Sequence, residues 1–278
     1  MRLFLLTFLT MAAFAANSLL NRAGLAEGAI GPAGFALIRV ISGAVMLWVL
    51  LASGRKKLPQ RAKPDWISAG ALATYLLGFS FAYVALDAGL GALVLFAIVQ
   101  VTMFAGALRI GNPIPALRWG GMIASMLGLA YLVWPSDDVQ LPFLPLVLMA
   151  VSAIGWGTYS LIGRRSAEPL QATAWNFIYA TPIVAIVTLP LAWEEVLSTS
   201  GALLAVTSGA ITSGLGYALW YRVLPQLTAS AGALVQLSVP VIALGAGALF
   251  LGEVVDPREI TASALVLGGI AFGLIVRK

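Results

Sequence analysis

Cysteine and histidine are both absent from the 278 residues, and only 10% of the residues are charged. The missing thiols exclude disulfides and thiolate nucleophiles, and the missing imidazoles exclude the commonest metal ligand and proton carrier. No pair of acidic residues lies within an apolar stretch to replace them as an acid and a base. We therefore expect neither an enzyme nor a protein with a metal or another cofactor.

Apolar residues dominate instead, because 60% of the chain is hydrophobic. They fall into ten stretches of roughly 20 residues, the length at which a helix crosses the bilayer core with its backbone polar groups satisfied. The sequence therefore predicts an all-α integral membrane protein with ten transmembrane helices. The predicted spans are residues 3–20, 32–51, 66–86, 89–108, 116–134, 141–161, 173–191, 201–221, 229–251 and 260–276.

Basic residues lie almost entirely on one side of these spans. Only Arg22 and Arg258 lie on the other side, and Arg39 lies within a span. Because Lys and Arg are retained in the cytoplasm, we predict that both termini are cytoplasmic. The net charge of +5 is then a topology signal, and we expect no nucleic-acid partner. The residues predicted to be cytoplasmic are Arg2, Arg55, Lys56, Lys57, Arg61, Lys63, Arg109, Arg118, Arg164, Arg165, Arg222, Arg277 and Lys278.

The chain divides into two halves of five predicted helices each, residues 1–135 and 136–278, which together form one membrane domain. Gly111 and Gly128 match Gly252 and Gly269 at a constant offset of 141 residues. An odd number of helices in each half inverts the second half relative to the first. We predict two inverted five-helix repeats, the architecture of secondary transporters, with a site between the halves.

Short motifs add to this topology: Arg39 in the second span, a Leu-Gly-Glu turn at residues 251–253, and the pair Gly268 and Gly269 in the last span. With ten helices and both ends inside, the chain resembles the drug/metabolite transporter superfamily. Each half resembles one EamA-type repeat, as in exporters of aromatic amino acids. In the first half, Asn112 follows Gly111 where the family has glutamate, so a role for that glutamate applies only to Glu253.

The resemblance implies export of small amphipathic metabolites, most prominently amino acids including aromatic ones, by alternating access around a central cavity. It implies a multi-pass protein of the bacterial inner membrane that functions as a monomer with the lipid bilayer and a small-molecule substrate as partners. One alternative is a carrier of nucleotide sugars or phosphorylated sugars, although phosphate groups demand several inward cations. Another is a membrane receptor that binds without transport. A channel is disfavoured, because scattered amides do not form a continuous polar lining.

Amides within the spans are the first candidates for substrate contact. Gln100 and Gln236 lie near the middle of the fourth and ninth spans, which occupy equivalent places in the two halves. Asn17 and Asn176 add amides on the first and seventh spans. An uncharged amide offers donors and acceptors to either end of a zwitterion. Bonding between helices is the alternative role of each.

Aromatic residues inside the spans form the second group of candidates, because a ring face stacks on a flat apolar substrate. Ordinary packing is their alternative role. Tryptophans near predicted span ends, such as Trp48 and Trp66, are interpreted as interfacial anchors. The candidates within spans are Tyr75, Tyr83, Trp156, Tyr159, Trp175 and Tyr179.

Arg39 is the one full charge that the sequence places deep in a span. It has three possible partners: a substrate carboxylate, backbone carbonyls of neighbouring helices, or the external headgroups. We favour a structural or gating role. Pro240 is a candidate kink in the ninth span. No acidic residue lies in mid-span, which favours facilitated diffusion or exchange and leaves Glu253 as the sole weak candidate for proton coupling.

Overall fold

The computed structural model describes residues 2–53, 63–109, 116–134, 142–164, 166–226, 235–236 and 238–274. Each predicted span contains a helix within these residues, and their only β pairing is one bridge between Ile30 and Leu197. The all-helical prediction is confirmed for this part of the chain. The helices are α1 Arg2–Ala26, α2 Pro32–Ser53, α3 Trp66–Ala82, α4 Ala88–Arg109, α5 Ala116–Val133, α6 Phe143–Gly163, α7 Pro169–Ala192, α8 Thr199–Val223, α9 Ser238–Leu251 and α10 Pro257–Leu274.

Several predictions concern residues outside these ranges. Gly111 and Asn112 lie outside the described residues, as does the start of the ninth predicted span, residues 229–234. The same holds for the basic residues Arg55, Lys56, Lys57, Arg61, Arg165, Arg277 and Lys278.

Six helices are long and apolar enough to cross a membrane: α1, α2, α4, α6, α7 and α8. Helices α3 and α9 are shorter apolar helices, as is the Trp119–Leu132 part of α5. Large apolar side chains cover the outside of the bundle, among them Phe143 at 80% and Leu249 at 75% exposure. Lipid tails match such a surface, whereas water does not. The chain is therefore a multi-pass membrane protein.

Four loops meet at one end of the bundle, which we call the acidic end: residues 27–31, 83–87, 193–198 and 252–256. The first and third are joined by backbone hydrogen bonds from Gly31 N to Val196 O and from Ser198 N to Ala29 O, each 3.0 Å long. The opposite end, where α6 ends at Gly163 and α8 at Val223, is called the basic end. Consecutive helices therefore run in opposite directions.

The core lies between the first five helices and the last five. Helix α1 packs on α8 and α9, α2 on α7 and α8, α3 on α6 and α7, α4 on α6 and α9, and α5 on α10. Buried side chains line these contacts, so a polar group there has neighbours from both halves of the chain.

Glycines bring α5 and α10 close together. A Cβ atom at Gly269 would lie 2.7 Å from the carbonyl oxygen of Gly121, and one at Gly128 would lie 2.9 Å from Leu265 Cβ. Ser125 Oγ donates a 3.1 Å hydrogen bond to Val266 O across the same contact. Such an approach between helices needs a residue without a side chain.

Gly269→Ala is therefore expected to destabilise the protein, by about 1–3 kcal/mol, because the new methyl group meets backbone atoms that cannot move aside. Gly268→Ala is the matched control, since a Cβ there meets no atom within 4 Å. Thermal unfolding of the purified protein in detergent measures both. Equal unfolding temperatures for the two variants would contradict the close α5–α10 contact.

Candidate functional site

Asn17 connects three helices through its amide. Its Oδ1 accepts hydrogen bonds from Ser208 Oγ at 2.7 Å and Thr212 Oγ1 at 3.0 Å, both on α8. Its Nδ2 donates to the hydroxyl of Tyr75 on α3 at 3.3 Å. Because the amide is buried, these bonds replace the hydration it gives up.

Asn21 extends this network one helical turn along α1. Its Nδ2 donates to Ser208 Oγ at 3.2 Å, and its Oδ1 accepts from Ser80 Oγ at 3.1 Å. Asn21, Ser80 and Ser208 are all fully buried. The two asparagines thus hold α1, α3 and α8 together, which is the alternative role that the sequence analysis gave to Asn17.

Arg39 is fully buried and bonds to two hydroxyl groups. Its Nε donates to Ser213 Oγ at 3.2 Å, and its Nη2 donates to the hydroxyl of Tyr75 at 2.9 Å. The guanidinium carbon lies 5.1 Å from the ring centre of Tyr75 and 4.9 Å from that of Phe79, within cation–π range. Of the three predicted partners, headgroups are excluded by this burial, and the observed bonds go to side chains rather than to backbone carbonyls.

A π-helical segment of α8, Ser208–Leu215, supplies three hydroxyl groups of this network. Gly209 lies directly against α2, where an added Cβ would overlap Ser42 Oγ and the carbonyl of Arg39. Single π-helical segments within α-helices are frequent at functional sites, because the wider turn re-aims side chains. In this protein the π-helical segment directs Ser208, Thr212 and Ser213 toward α1 and α2.

Trp156 of α6 is the centre of an aromatic cluster directly beside this network. Its ring centre lies 4.9 Å from that of Tyr217, 5.0 Å from Tyr75, 5.8 Å from Phe14 and 5.9 Å from Tyr159. The five rings come from α1, α3, α6 and α8, so they lie between the two halves. Tyr75 belongs to both groups, since its hydroxyl binds Arg39 and its ring contacts Trp156.

The rings continue from Tyr75 toward the acidic end. Tyr75 and Phe79 lie 5.3 Å apart, and Phe79 and Tyr83 lie 4.6 Å apart. Tyr83 donates its hydroxyl proton to the carbonyl of Ala88 at 3.3 Å. This bond fixes Tyr83 between α3 and the start of α4, and leaves it on the edge of the cluster.

Several buried donors in this region have no hydrogen bond of ordinary geometry within the described part of the chain. They are Arg39 Nη1, Trp156 Nε1 and the hydroxyls of Tyr159 and Tyr217; Gln100 Nε2, on α4, is also buried without a partner. Unsatisfied buried donors are rare in folded proteins, because each one costs free energy. Their presence around one cluster is typical of a place where a ligand completes the bonding.

Two of the predicted aromatic residues lie elsewhere. Trp175 and Tyr179 on α7 stack on each other with ring centres 5.6 Å apart. Trp48 packs on Trp175 at 5.7 Å, and Trp66 packs on Tyr179 at 5.8 Å. This second cluster includes the first residue of α3, so it lies toward the basic end.

Three more of the predicted residues lie in buried positions, and one of them, Asn176, interacts with the hydroxyl of Tyr159 in the ring cluster. Gln236 lies just before α9 at 3% exposure, and Asn176 lies on α7 at 8%. Pro240 is buried in α9, whose last turn is π-helical.

Arg22 links three segments at the acidic end. Its Nη2 lies 2.8 Å from Asp87 Oδ1, and its Nε lies 3.4 Å from Glu253 Oε1. Glu253 in turn accepts the backbone N–H of Ala88 at 2.9 and 3.1 Å, at the first residue of α4. A carboxylate is favourable at this position, because helix N-termini carry unsatisfied N–H groups and partial positive charge.

Glu195 makes the same kind of contact at α2. Its two oxygens accept from Ala33 N at 3.1 Å and Gly34 N at 2.9 Å. The bridge between Ile30 and Leu197 lies beside it. Two glutamates of the second half thus bind helix N-termini of the first half and join the halves at the acidic end.

A cavity of about 400 Å³ lies at the basic end. It is bounded by the ends of α6 and α8 and the start of α7, and Tyr221 points its hydroxyl against Gly163. Its lining residues are Gly163, Arg164, Ser166, Ala167, Pro169, Tyr221 and Leu224.

Sequence analysis missed many of the polar residues at the centre: Asn21, Ser80, Ser208, Thr212, Ser213, Tyr217 and, at the acidic end, Glu195. A usable signal was the spacing of four residues in the pairs Asn17 with Asn21 and Ser208 with Thr212, which places both members on one helix face. Small hydroxyl side chains are also common packing residues in membrane helices, so their spacing alone did not separate the two roles.

Comparison with known proteins agrees with this architecture. Residues 143–275 match the model of the EamA-like transporter family. The chain is 45% identical to an uncharacterized protein of Pseudomonas aeruginosa over 99% of this chain and 96% of that one. It is 24% identical to a probable amino-acid metabolite efflux pump of Salmonella typhimurium, over 72% of this chain and 74% of that one. A crystal structure with 17% identity superposes with a TM-score of 0.73, covering 98% of this chain and 96% of that one.

Protonation of Glu253 is expected to stabilise the folded protein against unfolding. Burial raises the pKa of this carboxyl above its ordinary value of 4.5, and the charge of Asp87 adds to the rise, while the Ala88 N–H and Arg22 oppose it. The folded state therefore holds the proton more tightly than the unfolded chain. The contribution of the bound proton to the free energy of unfolding is complete below pH 4.5 and is lost as pH rises through the raised pKa.

Thermal unfolding of wild type and Glu253→Gln across this pH range tests the effect. Glutamine keeps an acceptor for Ala88 N without a titrating proton, so the difference between the two proteins should change with pH. A constant difference at every pH would be inconsistent with the expected linkage.

Proposed function

Because the chain belongs to the EamA-like transporter family, we propose that it exports small amphipathic metabolites, most prominently amino acids including aromatic ones, across the bacterial inner membrane. The observation that carries this proposal is the buried cluster of rings and unpartnered donors around Trp156, located between the two halves. Aromatic rings beside a few polar groups suit an amphipathic organic solute. The named efflux pump of Salmonella typhimurium is consistent with amino-acid substrates.

We further propose ten membrane spans arranged as inverted repeats, residues 1–135 and 136–278. The packing supports this, because contacts come in pairs that a two-fold axis would relate. Helix α2 packs on α8 as α3 packs on α7, and α1 packs on α9 as α4 packs on α6. Gly128 contacts Val266, and Gly269 contacts Ser125. Adding 141 to the number of the first-half residue in one contact gives the second-half residue of the other, as expected for equivalent positions in two repeats.

Alternating access around the cluster is the proposed mechanism. The acidic end is closed by the contacts of Glu195, Glu253 and Arg22, whereas the basic end contains a cavity. Since the excess of basic residues favours a cytoplasmic basic end, this arrangement corresponds to a conformation closed to the outside. Export then requires the two glutamates to release the N-termini of α2 and α4.

Uptake of labelled phenylalanine and tryptophan into proteoliposomes, with and without trapped unlabelled substrate, tests transport. Saturable, trans-stimulated uptake is expected from wild type. Trp156→Leu should lower transport efficiency roughly tenfold, because each contact that an aromatic substrate loses with the ring is worth about 0.5–1.5 kcal/mol. The double variant Gln100→Ala, Gln236→Ala tests the predicted amide contacts in the same assay.

Trp193→Leu is the matched control for the tryptophan, since Trp193 is 88% exposed after α7. Gln226→Ala, at an exposed position near the basic end, is the control for the amides. Absence of saturable uptake in vesicles that contain folded wild-type protein would reject amino-acid transport.

A disulfide across the acidic end tests the proposed movement. Residues paired in an antiparallel bridge have Cα atoms about 4.5–5.5 Å apart, which suits a disulfide. The natural chain has no cysteine, so the double variant Ile30→Cys, Leu197→Cys forms a single defined pair. Oxidation should stop transport, and a reductant should restore it.

Each single cysteine variant should transport under both conditions, which separates locking from simple oxidation damage. Full activity of the cross-linked double variant would show that the acidic end does not open during transport.

A further inference from the structure

Arg39 retains hydrogen-bonding capacity that the described residues do not use. A guanidinium has five N–H donors, and the observed bonds use one on Nε and one on Nη2. Nη1 is buried without a partner. The indole N–H of Trp156, a donor that cannot accept, is likewise buried and unpartnered. What this centre lacks is an acceptor.

Negative charge is lacking as well. Within the described part of the chain the ion pairs are those of Arg22 with Asp87 and Glu253 at the acidic end, and no carboxylate bonds to Arg39. A buried cation without a counter-charge costs several kcal/mol. The rings of Tyr75 and Phe79 offset only part of that cost, since cation–π contacts are worth about 2 kcal/mol when desolvated.

Tyr75 connects the cation to the ring cluster. Its hydroxyl is 2.9 Å from Arg39 Nη2, and its ring centre is 5.0 Å from that of Trp156. A carboxylate on Arg39 would therefore have aromatic faces one side chain away. A ligand with a carboxylate joined to a ring by a short chain matches both features.

A positive group has no carboxylate partner in the same place among the described residues. The oxygen of the Asn17 amide already accepts two hydrogen bonds, and the acidic residues that the structure describes lie in loops or at helix ends. An ammonium beside Arg39 would also add like-charge repulsion.

We propose that this centre recognises aryl-alkyl carboxylates through Arg39 and Trp156, and that the ammonium group of an amino acid is dispensable for binding. The inference rests on the proposed function, which places the substrate at this cluster. It adds that the protein recognises the carboxylate of the substrate and not its ammonium group. Arg39 is fully buried in this closed conformation. The ligand therefore binds when α8 separates from α2, where the Arg39–Ser213 bond is the contact that must open.

Four ligands that share a phenyl ring on a chain of two or three carbons separate the effects of the two charged groups. They are 3-phenylpropanoate, phenylalanine, phenethylamine and 3-phenylpropanol. Binding is measured as the concentration-dependent rise in unfolding temperature of the purified full chain in detergent. The two carboxylates should stabilise wild type with comparable affinity, and the amine and the alcohol should not.

Arg39→Gln should abolish stabilisation by both carboxylates. Because this variant alters a buried charge and folding is not assured, Trp156→Phe is measured in parallel: it keeps a ring and removes one donor. It should weaken carboxylate binding roughly tenfold, the effect of one hydrogen bond to a charged group. Arg258→Gln, which removes a cation from the acidic end, should bind like wild type.

The outcomes distinguish this inference from the proposed function. Binding of carboxylates without flux in proteoliposomes would reject transport and leave the inference standing. Saturable uptake of phenylalanine, together with no binding of 3-phenylpropanoate or with equally tight binding of phenethylamine, would overturn the inference and leave transport standing. Unchanged carboxylate binding by folded Arg39→Gln or by Trp156→Phe would also overturn it.

Discussion

Arg39 carries a full charge in the interior of a helix bundle, and its neighbours on three helices are arranged around that charge. Hydroxyls from α3 and α8 accept two of its N–H groups, and two rings lie against its plane. Asn17 then bonds the same tyrosine and the same π-helical segment of α8. Removing the cation would take one donor from each of these hydroxyls and weaken the whole polar centre.

The same need for hydrogen-bond partners explains how the acidic end closes. Helix N-termini expose N–H groups that have no partner within the helix, and the carboxylates of Glu195 and Glu253 supply one at α2 and α4. Both glutamates belong to the second half and both N-termini to the first. The closing contacts therefore join the halves, and any opening at this end must break them. Arg22 ties Glu253 to Asp87 and makes the closure electrostatic as well as hydrogen-bonded.

Prediction from sequence was accurate where the determining interactions are local. The apolar stretch at residues 173–191 became a helix at Pro169–Ala192, and that at 201–221 became Thr199–Val223. Arg39 was recognised as a deep charge because nothing else in its span is charged. Its partners could not be predicted, since Ser213 lies 174 residues away and belongs to a π-helical segment that no local pattern indicated. Trp156 and Trp175 were equally good candidates for substrate contact in the sequence. Of the two, Trp156 is the one that contacts Tyr75, the hydrogen-bond partner of Arg39.

The sequence by itself determined that the described chain is helical and suited to a bilayer, because about 20 apolar residues in a row satisfy their backbone only as a helix in hydrocarbon. The tertiary structure alone decided which polar side chains meet. Asn17 bonds residues 58 and 191 positions away, and Glu253 bonds an N–H 165 positions away. A hydrogen bond depends on a separation of about 3 Å in space, whereas helix formation depends on neighbours within four residues along the chain. The fold class could therefore be predicted from sequence. Which residues form the buried centre could be known only from the way the two halves pack together.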